Sequence, residues 1–166
     1  MISPYLNIEM GTWDKAEEIP DSQNRPRVTS VYVGEEFVNQ SSFLCDRFSI
    51  QPQVIYYPCS GTDISPTVAF PRVRVIFADL NEASMAALRE KGFEAHTASA
   101  LDFDPKLFDL LVLMNPQVPS APLASRLSKG GHVICNNYHG TADQLKENPD
   151  FRCLGTVGAL SAFEKL

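Results

Sequence analysis

Two absences limit what this chain of 166 residues can be: it has no long apolar run and no basic run. No apolar stretch approaches the roughly eighteen residues that cross a bilayer, and the first residues lack the basic and apolar pattern of a secretion signal. Asp and Glu number 20 against 14 Lys and Arg, which gives a net charge of −6. An acidic chain is poorly suited to holding a phosphate backbone, so we expect a cytoplasmic protein with neither nucleic acid nor a membrane as its partner.

Cysteines are few and widely separated. Cys45, Cys59, Cys135 and Cys153 form no C-x-x-C pair, which favours reduced thiols over a disulfide framework. The cysteines and histidines show no spacing typical of metal ligands, so we predict no metal site. The length suits a single domain that buries a substantial core.

What the sequence does contain is a regular alternation of strand and helix patterns. Strands are predicted at 54–57, 73–79, 93–97, 108–114 and 132–136. Helices are predicted at 35–47, 64–70, 81–91 and 120–129, and a capping box at Thr141 predicts another that ends at Pro149. Residues 151–166 are typical of two antiparallel strands. This order predicts an α/β fold with a doubly wound, mostly parallel, Rossmann-like sheet that closes with a C-terminal antiparallel hairpin.

The chain divides into three stretches within that single domain. Residues 1–30 are rich in proline and charge and are expected to form an irregular arm. Residues 31–53 form a helical lead-in, and residues 54–166 carry the alternating core. The aromatic side chains of Tyr5, Trp13 and Tyr32 are the ones available to cover a site on that core.

The first core strand ends in a loop of small residues. The run from Val54 to Tyr57 is apolar without polar alternation, as in strands buried on both faces of a parallel sheet. Pro58 cannot donate to a strand ladder, Gly61 permits a sharp turn, and Asp63 is able to cap the next segment. A strand, a tight loop and a helix start are typical of a nucleotide-binding corner.

Polar or small residues also follow the other predicted strands. They are Asp79, the run 98–102, Asn115 with Pro116, and the run 136–139. Because ligands of such sheets bind beyond the carboxyl ends of the strands, these groups predict a site at one edge. Asp79 lies eighteen residues after Gly61, where a carboxylate is able to accept hydrogen bonds from both ribose hydroxyls. The alternative is that Asp79 only caps the helix that follows it.

At this point the chain resembles the class I S-adenosylmethionine-dependent methyltransferases over about 54–166. The likeness rests on the glycine loop, on Asp79, on the run 98–102, on the strand 109–116, on the turn 127–131 and on the closing hairpin. It implies S-adenosylmethionine as the cofactor and methyl transfer as the activity. It also implies that the cofactor contacts are Cys59, Ser60, Gly61 and Thr62 for the methionine part, Asp79 for the ribose, and Leu101 with Asp102 for the adenine.

The loop departs from the family pattern of acidic-x-Gly-x-Gly-x-Gly. Tyr56, Pro58 and Ser60 stand where the family has an acid and glycines, and Gly61 is the glycine that remains.

Two side chains at the sheet edge are candidates for the chemistry. The sequence Asn115-Pro-Gln-Val resembles the Asn-Pro-Pro-aromatic motif of methyltransferases that modify amino groups, and the resemblance implies that Asn115 orients the target nitrogen. The alternative for Asn115 is a polar strand end before a proline turn. His139 is a candidate general base because an imidazole titrates near neutral pH, and the alternative is a loop hydrogen bond.

Three functions remain open from the sequence. The first is a methyltransferase that uses S-adenosylmethionine on an unknown acceptor. The second is a non-catalytic binding or interaction module of the same fold with a decayed cofactor loop. The third is a nicotinamide-dependent oxidoreductase, which the missing Gly-x-Gly-x-x-Gly disfavours.

Overall fold

The computed structural model describes residues 18–20, 26–28 and 30–166. Within these residues the strands are β1 (Glu18–Pro20), β2 (Pro26–Val28), β3 (Val54–Pro58), β4 (Arg74–Asp79), β5 (Glu94–Thr97), β6 (Leu110–Leu113), β7 (His132–Cys135), β8 (Phe151–Val157) and β9 (Leu160–Lys165). The helices are α1 (Glu35–Phe48), α2 (Ser65–Ala69), α3 (Glu82–Glu90), α4 (Ser120–Ala124) and α5 (Thr141–Glu147).

In the described part of the chain, seven strands form one sheet in the order β5-β4-β3-β6-β7-β9-β8. Strands β3 to β7 run parallel, with β3 between β4 and β6. Strand β9 is antiparallel to both β7 and β8. The predicted doubly wound sheet with an antiparallel C-terminal hairpin is confirmed. The order reverses at β3, so the loops after β3 and β6 diverge there and open a crevice at the carboxyl edge.

Two apolar layers cover the sheet because successive strand residues point to opposite faces. On one face, Tyr57 and Phe77 pack with Leu44 of α1 and Met85 of α3. On the other face, the packed side chains include Tyr56, Ile76, Leu111, Leu123 of α4 and Leu145 of α5. Helices on both faces explain why the inner strands are apolar throughout rather than alternating.

Two of the predicted helix boundaries are wrong. Helix α4 ends at Ala124, whereas the sequence pattern extended it to 129. Thr141 does not form a capping box, because the N-cap of α5 is Gly140, at φ 74°, and no side chain caps it. The backbone N–H of Asp143 instead donates to Oδ1 of Asn137 at 3.1 Å.

Part of the N-terminal stretch expected to be irregular forms a two-stranded sheet. Strands β1 and β2 pair antiparallel, with Glu18 opposite Val28. Tyr5 and Trp13 lie outside the described residues. Among the helices that are described, none combines the length and the apolar character needed to cross a membrane.

Candidate functional site

A cleft of about 850 Å³ opens at the carboxyl ends of β3, β4 and β6. This volume lies within the roughly 300–1,000 Å³ of small-molecule sites. Its walls come from the loop after β3, the turn after β4, the loop after β6 and the first turn of α1. The cleft therefore lies at the edge that the polar strand ends predicted.

The loop after β3 turns through two left-handed residues rather than through a run of glycines. Cys59 has φ 55° and Gly61 has φ 53°. Between and after them, Ser60 and Thr62 are buried. A non-glycine residue in this conformation costs about 1–2 kcal/mol, and such residues are found at functional sites. The loop thus makes its turn although glycines are absent from the expected positions.

Asp79 joins this loop to the end of β4. Its Oδ2 accepts the N–H of Gly61 at 2.8 Å, and its Oδ1 accepts the N–H of Asn81 at 2.8 Å. The N-cap of α3 is Asn81, whose side chain accepts the N–H of Ser84 at 3.0 Å. Asp79 also lines the cleft, where Leu80 beside it is 75% exposed.

A buried carboxylate lies on the side of the cleft next to α1. Asp63 accepts a hydrogen bond from the hydroxyl of Tyr57 at 2.6 Å and another from the N–H of Ser65 at 2.9 Å. The Ser65 hydroxyl also donates to Asp63, and its oxygen accepts the N–H of Gly34 at 2.8 Å. These bonds fasten the segment before α1 to the loop after β3, because Gly34 immediately precedes α1.

Burial shifts the pKa values of the hydrogen-bonded pair Asp63 and Tyr57. It raises the pKa of the Asp63 carboxyl, and the hydrogen bonds from Ser65 and Tyr57 oppose that shift. Burial and then the charge of Asp63 raise the pKa of Tyr57 well above its usual value. The tyrosine hydroxyl therefore keeps its proton at neutral pH and donates it in the hydrogen bond to Asp63.

The loop after β6 presents Asn115 in a left-handed conformation, at φ 49°. Its Oδ1 accepts a hydrogen bond from Nδ2 of Asn136 at 2.7 Å, and its backbone N–H donates to Oδ1 of Asn136 at 3.2 Å. This reciprocal pair of hydrogen bonds links the ends of β6 and β7 and holds the Asn115 side chain by its oxygen.

Burial raises the pKa of the Cys59 thiol, although the backbone N–H of Gln117 opposes the shift.

The structure brings together some of the predicted site residues and leaves others apart. Those that line the cleft are Cys59, Ser60, Gly61, Asp79 and Asn115. Thr62 is buried behind the loop, and its carbonyl accepts the N–H of Tyr32. Leu101, Asp102 and His139 are exposed on neighbouring loops outside the cleft lining.

A single arginine holds the loop that carries Leu101 and Asp102. Nη1 of Arg126 donates to the carbonyl of Phe103 at 2.7 Å and to that of Ala100 at 3.3 Å. Its Nη2 donates to the carbonyl of Leu101. The guanidinium thus makes three hydrogen bonds to backbone carbonyls, as its planar fork of N–H groups allows.

Several lining residues were missed by the sequence reasoning. They include Gly34, Glu35, Glu36 and Asn81. In the sequence, two acids after a glycine indicate only that a helix begins there. Their position at the cleft depends on how α1 packs on the sheet.

No protein-family model matches the chain, and no curated protein matches it. Solved structures do. The N-methyltransferase NodS from Bradyrhizobium japonicum WM9, in complex with S-adenosylhomocysteine, is 14% identical over 78% of this chain and 86% of its own, with a TM-score of 0.58. Magnesium protoporphyrin IX methyltransferase from Synechocystis PCC 6803 is 12% identical over 79% of each chain, with a TM-score of 0.62.

A third similar structure is a putative caffeoyl-CoA O-methyltransferase from Staphylococcus aureus. It is 12% identical over 80% of this chain and 84% of its own, with a TM-score of 0.61. The TM-scores establish a shared fold. Because the sequence identities are low, the activity has to be argued from the site. The chain has the Rossmann-like fold of the class I S-adenosylmethionine-dependent methyltransferases.

Proposed function

We propose that the protein is a methyltransferase that uses S-adenosylmethionine. The observation that carries this proposal is the hydrogen bond between Gly61 and Asp79 at the wall of an open cleft. It fixes a turn of small residues beside a carboxylate at the reversal point of the sheet, which is where nucleotide ligands bind in this architecture.

The residues of the cleft fit the parts of this ligand. Asp79 would accept hydrogen bonds from the ribose hydroxyls through the lone pairs left on its carboxylate. The N-cap of α1 makes no side-chain hydrogen bond to the first turn, so backbone N–H groups at that turn are able to hold the methionine carboxylate. Cys59, Ser60, Gly61 and Thr62 would enclose the methionine part, and Leu101 with Asp102 would approach the adenine from the Arg126-held loop.

S-adenosylmethionine would supply an electrophilic methyl group on a positively charged sulfur. The protein then has to align an acceptor with that group and exclude competing nucleophiles, which requires few conspicuous catalytic side chains. We assign the alignment to Asn115, whose side chain is held by Asn136 at the cleft wall. His139 remains a candidate base, although it lies on an exposed turn outside the cleft lining.

Calorimetric titration with S-adenosylmethionine, S-adenosylhomocysteine and NAD tests this proposal. We expect the first two ligands to bind with micromolar dissociation constants and NAD not to bind. Binding of NAD alone, or of no ligand, would refute a methyltransferase.

A second function is supported by the composition of the loop. Pro58 and Ser60 replace glycines of the family pattern, which favours a non-catalytic binding module. Such a module would bind S-adenosylmethionine weakly or not at all and would form no S-adenosylhomocysteine with any acceptor. Mass spectrometry of the methyl donor after incubation with acceptors separates the two functions.

A further inference from the structure

A hydroxyl group at the start of α2 connects a buried carboxylate to the segment before α1. The side chain that carries it, Ser65, is fully buried. Its oxygen accepts the N–H of Gly34 at 2.8 Å, while its own proton is donated to Oδ1 of Asp63. A carboxylate only accepts hydrogen bonds, so Asp63 fixes the direction of the hydroxyl and leaves a lone pair of Ser65 for the N–H of Gly34.

This connection reaches the first turn of α1. Gly34 is the N-cap of that helix, and its carbonyl accepts the N–H of Val38 at 3.1 Å. The extended segment before it is held to the loop after β3, because the N–H of Tyr32 donates to the carbonyl of Thr62 and the Tyr32 carbonyl accepts the N–H of Ile64, both at 2.9 Å. These backbone bonds fix the segment, and the bond to the buried hydroxyl fixes the residue from which α1 starts.

The start of α1 also approaches Ser65 closely. A Cβ atom at position 34 would lie 3.3 Å from the hydroxyl of Tyr32 and 3.5 Å from Oγ of Ser65, so glycine allows the backbone to come this near. Residues 34–37 form one side of the cleft. A displacement of the first turn of α1 would therefore change the shape of the cleft on this side.

We propose that Ser65 is a positioning residue for the methyl donor and acts by holding the first turn of α1 at the cleft. This inference rests on the proposed function, in which that turn holds the methionine carboxylate. The attraction of a helix N-terminus for an anion falls off within the first turn, so a small displacement of α1 lowers the binding of that group. The effect of Ser65 is confined to the methionine end of the ligand, because the proposed contacts of the ribose and the adenine lie on other loops.

Two ligands that share an adenosine and a sulfur atom separate the two ends of the site. S-adenosylhomocysteine carries the amino acid part, and methylthioadenosine lacks it. Each is titrated by calorimetry into the wild type and into Ser65→Ala. We expect the variant to bind S-adenosylhomocysteine about tenfold more weakly, since hydrogen bonds to a charged carboxylate are the strong ones. Binding of methylthioadenosine should change by less than about twofold, because it has no carboxylate to lose.

Thr67→Val is the matched control. Thr67 is buried in the same helix, and its Oγ1 donates to the carbonyl of Ile64 at 2.6 Å, but it lies outside the cleft lining. This variant also removes one buried hydroxyl from α2, so thermal unfolding should show a loss of stability in both variants. The dissociation constants of both ligands should stay within about twofold of the wild type in Thr67→Val, because α1 keeps its bond to Ser65.

The outcomes separate this inference from the function on which it rests. Equal losses for the two ligands in Ser65→Ala, or an unchanged affinity for S-adenosylhomocysteine, would overturn the positioning role and leave the proposed function in place. If Ser65→Ala does not fold, Gly34→Pro decides instead and should show the same selective loss, because proline has no N–H and the φ of Gly34, −86°, lies near its range. If the wild type binds neither ligand, the proposed function fails and the inference fails with it.

Discussion

The backbone N–H of Gly61 donates to the carboxylate of Asp79 over 2.8 Å, although eighteen residues separate them in the chain. This bond joins the loop after β3 to the end of the neighbouring strand β4, and both residues lie at the same cleft. The shape of the loop and the negative charge at this part of the cleft wall therefore depend on one carboxylate. The consequence is that a change at Asp79 acts on both.

Asp79→Asn should weaken binding of S-adenosylmethionine by about tenfold to a hundredfold. The amide keeps the shape of the side chain but replaces a charged acceptor, and hydrogen bonds to charged groups contribute about 1.5–3 kcal/mol. Calorimetry measures the loss, and thermal unfolding verifies that the variant is folded. The matched control is Asp150→Asn, at an exposed turn before β8. Unchanged affinity in Asp79→Asn would remove Asp79 from the cofactor site.

Asn115 and Asn136 should behave as one unit in catalysis. The side chain of Asn136 holds that of Asn115 at 2.7 Å, so Asn136→Ala should lower kcat about tenfold, much as Asn115→Ala does, with little effect on binding of the methyl donor. The double variant should lose little more than either single one, because coupled residues are not additive. Steady-state rates of S-adenosylhomocysteine formation, with an acceptor that the protein methylates, measure these values.

Asn39→Ala, on the exposed face of α1, is the control for this pair. Independent, additive losses would show that Asn136 does not act through Asn115.

The pH dependence of stability should show the raised pKa of Asp63. Burial raises the pKa of this carboxyl in the folded protein above its unfolded value, so the folded state holds its proton over a range in which the unfolded state has lost it. The contribution of Asp63 to stability therefore falls as pH rises above about 4, through the folded-state pKa, and is constant beyond it.

Urea unfolding of the wild type and of Asp63→Asn from pH 4 to pH 8 isolates this effect, because other groups titrate alike in both proteins. The wild type should lose free energy of unfolding relative to the variant as pH rises from about 4 to the folded-state pKa of Asp63. A difference that is flat or has the opposite slope would contradict the raised pKa.

Arg126→Met should destabilise the protein by about 1–3 kcal/mol, because the carbonyls of Leu101 and Phe103 lose their donor and that of Ala100 keeps only the Tyr56 hydroxyl, at 3.4 Å. Hydrogen exchange should also accelerate across residues 98–109. Urea unfolding measures the first effect and mass spectrometry the second. Arg72→Met, at an exposed position, controls for the loss of a positive charge. Unchanged exchange in this loop would show that other contacts hold it.

The sequence by itself determined the order of the elements. The apolar strands of β3, β4 and β6 could be recognised because strands buried on both faces carry no polar alternation. The end of α3 was visible in Gly92, which adopts φ 88°. The end of α4 and the N-cap of α5 were predicted wrongly. The start of α5 depends on a hydrogen bond made in the folded chain, to the side chain of Asn137.

Only the tertiary structure decided how the candidate site is built. The sequence located Gly61 and Asp79 on neighbouring strand ends, but the parallel pairing of β3 with β4 brings them into contact. It also could not reveal that α1 places Glu35 and Glu36 at the cleft, or that Asp63 is buried without a cation among the described residues. The physical reason is that local patterns specify which face of an element is apolar, whereas the charge of a cleft arises from groups that distant elements bring together.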